Sequence, residues 1–294
     1  MNYNIKIAFL GGDLRQLVAA SELAEEGFES AVWGFDLCTP QSYKGAVRCQ
    51  SARDAMQNAS TVVLPVPVSS DGYRLHTPLS REEMPLDALS SSVGKGQFVL
   101  GGVISDRLIE KFESVGVSIE DYMKDEELTV KNAIPTAEGA LYSAMREMNI
   151  TIFNSQTVIF GYGRVGKATA RLFKGANSHV TVIARRNDAL ANIEAAGYIP
   201  GHINDAGEIC KSADLLINTV PDRIITPAII KGLKKEAVII DLASAPGGVD
   251  RDYASLCGIK TVAELSLPGR MAPVTAGLYI KDAILAAMRK RGII

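Results

Sequence analysis

The sequence predicts an α/β protein with two doubly wound parallel sheets, and three observations lead to this prediction. The chain has 294 residues, which is enough for two domains of ordinary size. It is 47% hydrophobic and 22% charged, as expected of a globular protein with sizeable cores. Short apolar runs alternate with amphipathic or loop-like stretches, which is typical of parallel strands covered by helices on both faces. We therefore expect two Rossmann-like domains with a cleft between them.

The apolar runs fall into one set in each half of the chain. The first half contains IKIAFL, ESAVWGF, STVVLPV and GQFVLGG, and the second half contains TVIFG, HVTVIA, DLLINTV, AVIIDLA and IKTVAEL. Each set has about the number of strands of one small doubly wound sheet.

The boundary between the domains is predicted near the segment NAIPTAEGALYSAMREMNI. Pro135 suits the first turn of a helix, and apolar residues follow it at helical spacing. The final segment, VTAGLYIKDAILAAMRKRG, predicts another amphipathic helix. We divide the chain into an N-terminal substrate or partner domain (1–134), a hinge helix (135–152), a cofactor-binding domain (153–272) and a C-terminal helix returning to the first domain (273–294).

The charge and the polar residues exclude several function classes. The net charge is −2, which predicts no attraction to nucleic acid or to an anionic membrane. No apolar run approaches the ~20 residues that a membrane helix needs. The chain starts directly with a strand pattern, so we expect a cytoplasmic protein. The four cysteines and three histidines show no metal-binding spacing, and no metal site is expected.

A glycine-rich turn in the second half, GYGRVG, matches the pattern of dinucleotide-binding domains. Gly161 permits the tight turn, Gly163 lets a pyrophosphate approach the backbone, and Gly166 lets the helix lie close to its strand. An apolar strand precedes the pattern and an amphipathic helix follows it, which makes the match specific. A tight turn without a ligand is the alternative. The predicted cofactor-binding residues of the turn are Gly161, Tyr162, Gly163, Arg164, Val165 and Gly166.

The end of the next strand, VTVIARR, indicates which dinucleotide binds. An NAD site usually has an acidic residue here for the ribose 2′-hydroxyl, whereas this chain has Ala184, Arg185 and Arg186. Arginine pairs with a phosphate, so the predicted cofactor is NADP. A solvated basic loop is the alternative.

Two later loops follow the runs DLLINTV and AVIIDLA of the second domain. Loops at the carboxyl ends of adjacent parallel strands flank the ligand crevice, so these should border the nicotinamide and its ribose. Turn chemistry alone is the alternative. The predicted cofactor contacts are Asn218, Thr219, Val220, Pro221, Leu242 and Ala243, with Ser244 assigned to substrate.

The corresponding turn in the first domain, GGDLRQ, lacks the Gly-x-Gly pattern. Asp13 is predicted to cap the following helix, where its carboxylate would occupy the amides and repel a phosphate. The first domain is therefore predicted to bind substrate rather than a dinucleotide. The candidate substrate contacts are Arg15, Ser69, Ser70 and Asn132; a surface role is the alternative for Arg15.

Thr136 and Glu138, at the predicted start of the hinge helix, are the catalytic candidates. Glu138 would have to be desolvated to accept a proton, and its alternative role is to complement the helix dipole.

Six motifs together resemble the larger, A-type component of dipicolinate synthases from spore-forming bacteria. They are GGDLRQ, IPTAEGA, GYGRVG, INTVP, DLASAPGG and LPGRMAPVTAG, which occur in this order between residues 11 and 277. The resemblance implies a partner, the smaller, flavoprotein-like B component of dipicolinate synthase. It also implies oxidation of a dihydrodipicolinate, formed from 4-hydroxy-tetrahydrodipicolinate by loss of water, to pyridine-2,6-dicarboxylate in the mother cell during sporulation.

Three functions remain open at this point. The first is an NADP-dependent oxidoreductase acting on a planar dicarboxylate. The second is a non-catalytic NADP-binding regulatory subunit of a flavoprotein complex, because no acid–base residue stands out. The third is a dehydrogenase for another small acid. A homo-oligomer is expected as well.

Overall fold

The computed structural model describes residues 4–294 and contains two six-stranded parallel sheets flanked by helices. The strands of the first sheet are β1 (Lys6–Leu10), β2 (Glu29–Trp33), β3 (Val47–Arg48), β4 (Thr61–Val63), β5 (Phe98–Gly101) and β6 (Ser118–Asp121). Those of the second are β7 (Gln156–Phe160), β8 (His179–Ala184), β9 (Ile199–His202), β10 (Leu215–Asn218), β11 (Val238–Asp241) and β12 (Lys260–Ala263).

The strand order confirms the predicted fold class. The first sheet runs β3-β2-β1-β4-β5-β6 and the second runs β12-β11-β10-β7-β8-β9. Counted from the first strand of each sheet, both are the Rossmann order, in which the chain changes direction between the first and fourth strands. Each sheet thus has a switch point of the kind at which α/β proteins bind ligands.

Helices cover the faces of both sheets. They are α1 (Leu14–Glu25), α2 (Ala52–Met56), α3 (Leu86–Ser92), α4 (Asp106–Ser114), α5 (Glu126–Glu147), α6 (Arg164–Gly175), α7 (Asn187–Ala195), α8 (Ala206–Ile209), α9 (Pro227–Ile230), α10 (Arg251–Leu256), α11 (Leu267–Met271) and α12 (Pro273–Lys290).

The strands that sequence reasoning missed, β3, β6 and β9, all lie at sheet edges. Both residues of β3 are exposed, and β6 is only half-buried. The strand β9 contains Pro200 and Gly201, which are depleted in strand interiors. Edge strands need no continuous apolar run, because little of their surface enters the core.

The chain divides into two compact units. One combines the chain up to Lys131 with Ala272–Ile294, and the other is Asn132–Met271. In the first unit, α12 packs against α1, and a Cβ on Gly277 would come within 2.7 Å of the Arg15 carbonyl oxygen. The glycine of the VTAG segment therefore permits the close approach of these two helices.

The long helix α5 begins at Glu126, so the prediction that a helix starts at Pro135 and runs to residue 152 was wrong. The side chain of Asp125 accepts a hydrogen bond from Leu128 N at 2.7 Å, which caps the helix upstream. Pro135 lies inside the helix. The capping aspartate and the acidic first turn were the sequence signal for the true start.

In the second unit, a buried carboxylate joins α5 to the segment after β12. Glu264 Oε1 accepts hydrogen bonds from Ser143 Oγ at 2.8 Å and Arg146 Nη2 at 3.2 Å, and Oε2 accepts one from Arg270 Nη1 at 2.7 Å. Burial acts to raise the pKa of Glu264, but the hydrogen bonds from Ser143 and Arg270, together with the positive charges of Arg270 and Arg146, hold the pKa below its ordinary value.

Replacing this carboxylate should give a stability loss that depends on pH. We expect Glu264→Gln to lower the free energy of unfolding by roughly 1–3 kcal/mol at neutral pH, because the buried Ser143 hydroxyl and two arginines lose a buried charged acceptor. The folded pKa lies below the unfolded value of about 4.5, so the charged form stabilises the fold above that pH. The difference between wild type and variant should shrink as pH falls below about 4.5.

Urea unfolding of both proteins between pH 3 and 8 measures this difference. The matched control is Glu236→Gln, at an exposed carboxylate. A difference that stays constant down to pH 3 would contradict the argument.

Candidate functional site

The turn between β7 and α6 is closed at two glycines and open at the third. A Cβ on Gly161 (φ +96°) would contact Thr219 Oγ1 at 2.6 Å, and one on Gly166 would collide with the carbonyl oxygen of Gly161. A Cβ on Gly163 would meet nothing within 4 Å. The space beside Gly163 is therefore where a ligand can approach the backbone.

The helix that follows this turn offers an anion-binding end. Gly163 is the N-cap of α6 and makes no side-chain cap hydrogen bond, because it has no side chain. The first amides of a 12-residue helix and its partial positive charge therefore face the open side of the turn. These residues fit the pyrophosphate of a dinucleotide.

A cavity of about 460 Å³ adjoins the turn. Its lining includes Gly161, Tyr162 and Gly163 of the turn, Ala184, Arg185 and Arg186 after β8, and Val220, Asp222 and Ile224 after β10. The structure thus brings the predicted turn and both predicted arginines to one cavity.

The two arginines differ in their contacts. Arg186 is the N-cap residue of α7, and its Nη2 lies 3.1 Å from the Asp188 carboxylate. Arg185 is exposed, and within residues 4–294 it forms no ion pair or hydrogen bond through its side chain. Arg185 therefore has no ion pair to give up on meeting an added phosphate, whereas Arg186 has a weak, exposed one.

Other residues of the turn pack against the protein. The Tyr162 ring meets the Tyr198 ring edge-on at 6.2 Å, and Lys167 Nζ lies 5.3 Å from its centroid. Val165 is half-buried, whereas Arg164 is exposed at the first position of α6.

Asn218 shapes the loop after β10 instead of facing outward, contrary to the expectation that it borders the nicotinamide. It is fully buried, and its Nδ2 donates to Asp241 Oδ1 at 2.8 Å and to Val220 O at 2.9 Å. Its Oδ1 accepts from Val220 N. Thr219 likewise donates to the Phe160 carbonyl at 2.7 Å. Thr219 thus holds the loop against the glycine turn, and Asn218 fixes the loop to the end of β11.

Asp241, at the end of β11, is a residue that sequence reasoning did not select. It is fully buried, and it accepts hydrogen bonds from Asn218 Nδ2, Ala243 N at 3.2 Å and Gly248 N at 3.1 Å. A carboxylate ending an otherwise apolar strand was the available signal. Asp241 joins the loops after β10 and β11.

The remaining predicted residues of these two loops differ in exposure. Ser244 and Pro221 are exposed, Leu242 is half-buried and Ala243 is buried. Ser244 and Pro221 are therefore the most exposed of these residues, whereas the half-buried Val220 is the one that lines the cavity.

The turn after β1 is filled by its own side chains. Asp13 caps α1, as predicted, and accepts a hydrogen bond from Arg15 N at 3.0 Å. Gln16 Oε1 accepts from Asp13 N at 3.1 Å, and a Cβ on Gly12 would lie 2.6 Å from that oxygen. This capping box occupies the amides that remain open beside Gly163 in the other unit.

Arg15 is buried and paired, so the alternative of a surface arginine is wrong. Its Nε lies 2.9 Å from Asp13 Oδ1, and its Nη2 donates to Asp13 Oδ2 and to Val66 O, both at 2.8 Å. Ser69 accepts from Gly72 N and donates to Asp71, which stabilises a turn.

Ser70 lies close to a histidine that sequence reasoning did not select. Its Oγ is 2.8 Å from His76 Nδ1. His76 lies in an irregular segment with no motif, so no spacing could have identified it. Burial lowers the pKa of His76; Asp13 opposes this shift and Arg15 adds to it.

The candidates on α5 lie within the helix and not at its start. Thr136 Oγ1 donates to the Asn132 carbonyl at 2.8 Å. Asn132 is buried, and its Oδ1 has no partner within residues 4–294. Glu138 is exposed, so the desolvation that its catalytic role required is absent. The alternative, that Glu138 complements the helix dipole from the first turn, is also wrong, because α5 begins at Glu126.

Comparison with known proteins assigns the family. The N-terminal domain family of the dipicolinate synthase A subunit matches residues 6–123. The dipicolinate synthase A subunit of Bacillus subtilis (strain 168) is 32% identical over 281 residues, covering 95% of this chain and 94% of that protein. This chain belongs to the family of dipicolinate synthase A subunits.

Two crystal structures of the family agree with the fold. The dipicolinate synthase A subunit from Bacillus halodurans has a TM-score of 0.89 at 28% identity and covers 98% of this chain and 99% of its own. Its counterpart from Bacillus subtilis has a TM-score of 0.87 at 31% identity and covers 99% of both chains. The family resemblance stated from the sequence motifs is confirmed.

The second half of the chain matches a cofactor-binding family. Residues 135–252 match the NAD binding domain of D-isomer specific 2-hydroxyacid dehydrogenases. Together with the family assignment, this supports a dehydrogenase-type protein that uses a nicotinamide dinucleotide.

Residues 4–294 contain neither a membrane-spanning helix nor a metal-binding cluster. None of the helices described is both long enough and apolar enough to cross a membrane. Likewise, no group of three or more His, Cys, Asp or Glu side chains in the described part of the chain is placed to hold a metal ion.

Proposed function

We propose that this chain is the NADP-dependent dehydrogenase component of a dipicolinate synthase, which oxidises a dihydrodipicolinate to pyridine-2,6-dicarboxylate. The open backbone at Gly163, above the uncapped end of α6, is the observation that carries this proposal. The backbone amides at this end of α6 are free to bind phosphate, whereas the capping box occupies the corresponding amides after β1.

Different residues around the cavity would bind different parts of the cofactor. The amides after Gly163 would bind the pyrophosphate, and Arg185 would bind the 2′-phosphate. The loops after β10 and β11, which the hydrogen bond between Asn218 and Asp241 joins, would border the nicotinamide. When bound, the nicotinamide supplies a hydride acceptor. Removing hydrogen from a dihydropyridine ring is favourable, because the product is aromatic.

The substrate carries two carboxylates and needs groups that bind anions or donate hydrogen bonds. The candidates remain Arg15, Ser69, Ser70, Asn132 and Ser244. The relatives are named as one subunit of an enzyme, which supports a partner, and we propose that this partner is the flavoprotein-like B component of dipicolinate synthase. Self-association and a location in the mother cell are parts of the same proposal.

The deciding experiment is an assay of the purified chain with NADP or NAD and a dihydrodipicolinate generated in situ. Reduced nicotinamide formed by the chain alone is expected. Formation only after the flavoprotein-like partner is added would favour the regulatory alternative. Turnover of another small acid, with none of the dihydropyridine, would favour the third alternative.

The preference for NADP should depend on Arg185. We expect Arg185→Ala to weaken NADP binding by roughly 1.5–3 kcal/mol, or about 10- to 150-fold, because a charge-assisted phosphate contact is lost. Binding of NAD should change little, because NAD lacks the 2′-phosphate. Titration of both cofactors by fluorescence or calorimetry measures this difference.

The matched control is Arg171→Ala, at an exposed arginine of α6 that does not line the cavity. Equal affinity of the wild-type chain for NADP and NAD would contradict the assignment to NADP.

A further inference from the structure

The switch point of the first sheet holds a cluster of polar side chains that no comparison assigns. We call Asp13, Arg15, Ser70 and His76 the first-sheet polar cluster. Asp13 and Arg15 follow β1, and the other two lie in the segment after β4. These two strands pair with each other, and the chain changes direction between them. Ligands of doubly wound sheets bind beside such strand ends.

His76 is held to both strand ends by its backbone. Its N–H donates to the Val68 carbonyl at 2.9 Å, and its carbonyl accepts from Gly12 N at 2.9 Å. A Cβ on Gly11 would lie 2.9 Å from that same carbonyl oxygen, so the contact is close. These backbone hydrogen bonds fix the position of His76 relative to the segments that follow β1 and β4.

The two nitrogens of the imidazole are not equivalent. Nδ1 lies 2.8 Å from Ser70 Oγ, whereas Nε2 has no hydrogen-bond partner within residues 4–294. If Nδ1–H donates to Ser70, Nε2 carries the lone pair and is the basic atom. Ser70 Oγ can accept this hydrogen bond, so it is a positioning residue that orients the imidazole in the tautomer with a basic Nε2.

Charges near His76 come from the helix that follows β1. The Arg15 guanidinium is bound by the Asp13 carboxylate through two nitrogens, so this pair is close to neutral as a whole. Burial lowers the pKa of His76, with Asp13 raising it and Arg15 lowering it. Burial thus favours the neutral imidazole, which is the form that can accept a proton.

We propose that His76 accepts the proton released when the dihydropyridine ring is oxidised, with Ser70 orienting its imidazole. This inference rests on the proposed function and adds the acid–base residue that the sequence did not reveal. One ring C–H bond breaks as its electron pair leaves with a hydride for the oxidised nicotinamide. A second ring hydrogen leaves as a proton for Nε2, and its bonding electrons complete the aromatic ring. The products are pyridine-2,6-dicarboxylate, reduced cofactor and imidazolium.

The protonated imidazole should attract the dianionic product, which gives a test that needs no turnover. The chain has three histidines, so the imidazole Cε1–H signals in a proton NMR spectrum are few. The signal of His76 is the one that disappears in His76→Asn. In the cofactor-free chain, we expect it to titrate with a pKa below the ordinary histidine value of 6.5. Adding pyridine-2,6-dicarboxylate should move its titration to higher pH. A His76 signal unmoved by saturating dicarboxylate would overturn the proposal.

Kinetics provide the second test. We expect His76→Asn, which retains a polar group near the Nδ1 position, to lower kcat by ~10²–10⁴-fold. The rate of the wild-type chain should fall at acidic pH as His76 becomes protonated, and this acid limb should be lost in His76→Asn. Ser70→Ala should lower kcat less than His76→Asn and leave cofactor affinity unchanged.

The matched control is His179→Asn, at an exposed histidine that starts β8. A His76→Asn variant that keeps both the wild-type kcat and the acid limb would overturn the inference. A wild-type chain that forms no reduced cofactor would overturn the proposed function instead, while the NMR titration would still show whether His76 meets the dicarboxylate.

Discussion

The Gly163→Val variant is expected to lose about 150-fold or more of its affinity for NAD(P) while keeping its fold. The backbone of Gly163 is extended, with φ −80° and ψ −162°, so a valine fits its dihedral angles. A Cβ there meets nothing within 4 Å, so the protein itself is not disturbed. The added methyl groups would stand where the pyrophosphate approaches. Losing two charge-assisted hydrogen bonds, at roughly 1.5–3 kcal/mol each, gives this magnitude.

Calorimetric titration of the cofactor and thermal unfolding of the variant measure affinity and fold separately. The matched control is Gly175→Val, at the last residue of α6, where a Cβ also meets nothing within 4 Å. The control should bind cofactor as the wild type does. Undiminished affinity of Gly163→Val would place the pyrophosphate elsewhere and remove the main support for the proposed function.

The Asp241→Ala variant is expected to lower the free energy of unfolding by about 3–5 kcal/mol. Removing this fully buried carboxylate leaves Asn218 Nδ2 and the backbone N–H groups of Ala243 and Gly248 without their shared acceptor. The loops after β10 and β11 would lose the group that joins them. Cofactor affinity should therefore fall together with stability.

Urea unfolding and cofactor titration test this result, with Asp252→Ala, an exposed aspartate of α10, as the control. The conservative Asp241→Asn keeps the side-chain shape and one acceptor oxygen, so its stability loss should be smaller. Equal stability losses in Asp241→Ala and Asp252→Ala would show that the buried hydrogen bonds contribute nothing measurable.

The predictable parts of the fold were those with a local physical cause. Buried central strands such as β1 and β10 need continuous apolar runs, and the sequence displays these directly. Asp13 caps α1 as expected, because a cap depends only on residues within one turn of the helix. The edge strand β9, with its proline and glycine, is formed by pairing with β8 and shows no such run.

The start of α5 shows how two local signals can compete. Pro135 is favoured in a first helical turn and costs a helix interior about 3 kcal/mol or more, yet it lies inside α5. A Cβ on Gly139 would lie 2.7 Å from Leu267 Cδ2, so α5 is held by a segment far along the chain. Such support is not visible in the helix's own sequence.

The fold class, the family and the glycine turn could be predicted from the sequence alone, because strand hydrophobicity and turn geometry depend on consecutive residues. The three-dimensional arrangement was needed to show that Asn218 is a buried residue that holds its loop and that Glu138 is exposed. It was also needed to show that His76 joins Ser70 beside the Asp13–Arg15 pair. The surroundings of Asn218 and His76 depend on which strand ends lie side by side, and the exposure of Glu138 depends on how α5 packs. That arrangement is set by the packing of elements that are distant in the chain. The spacing of residues along the sequence therefore does not reveal it.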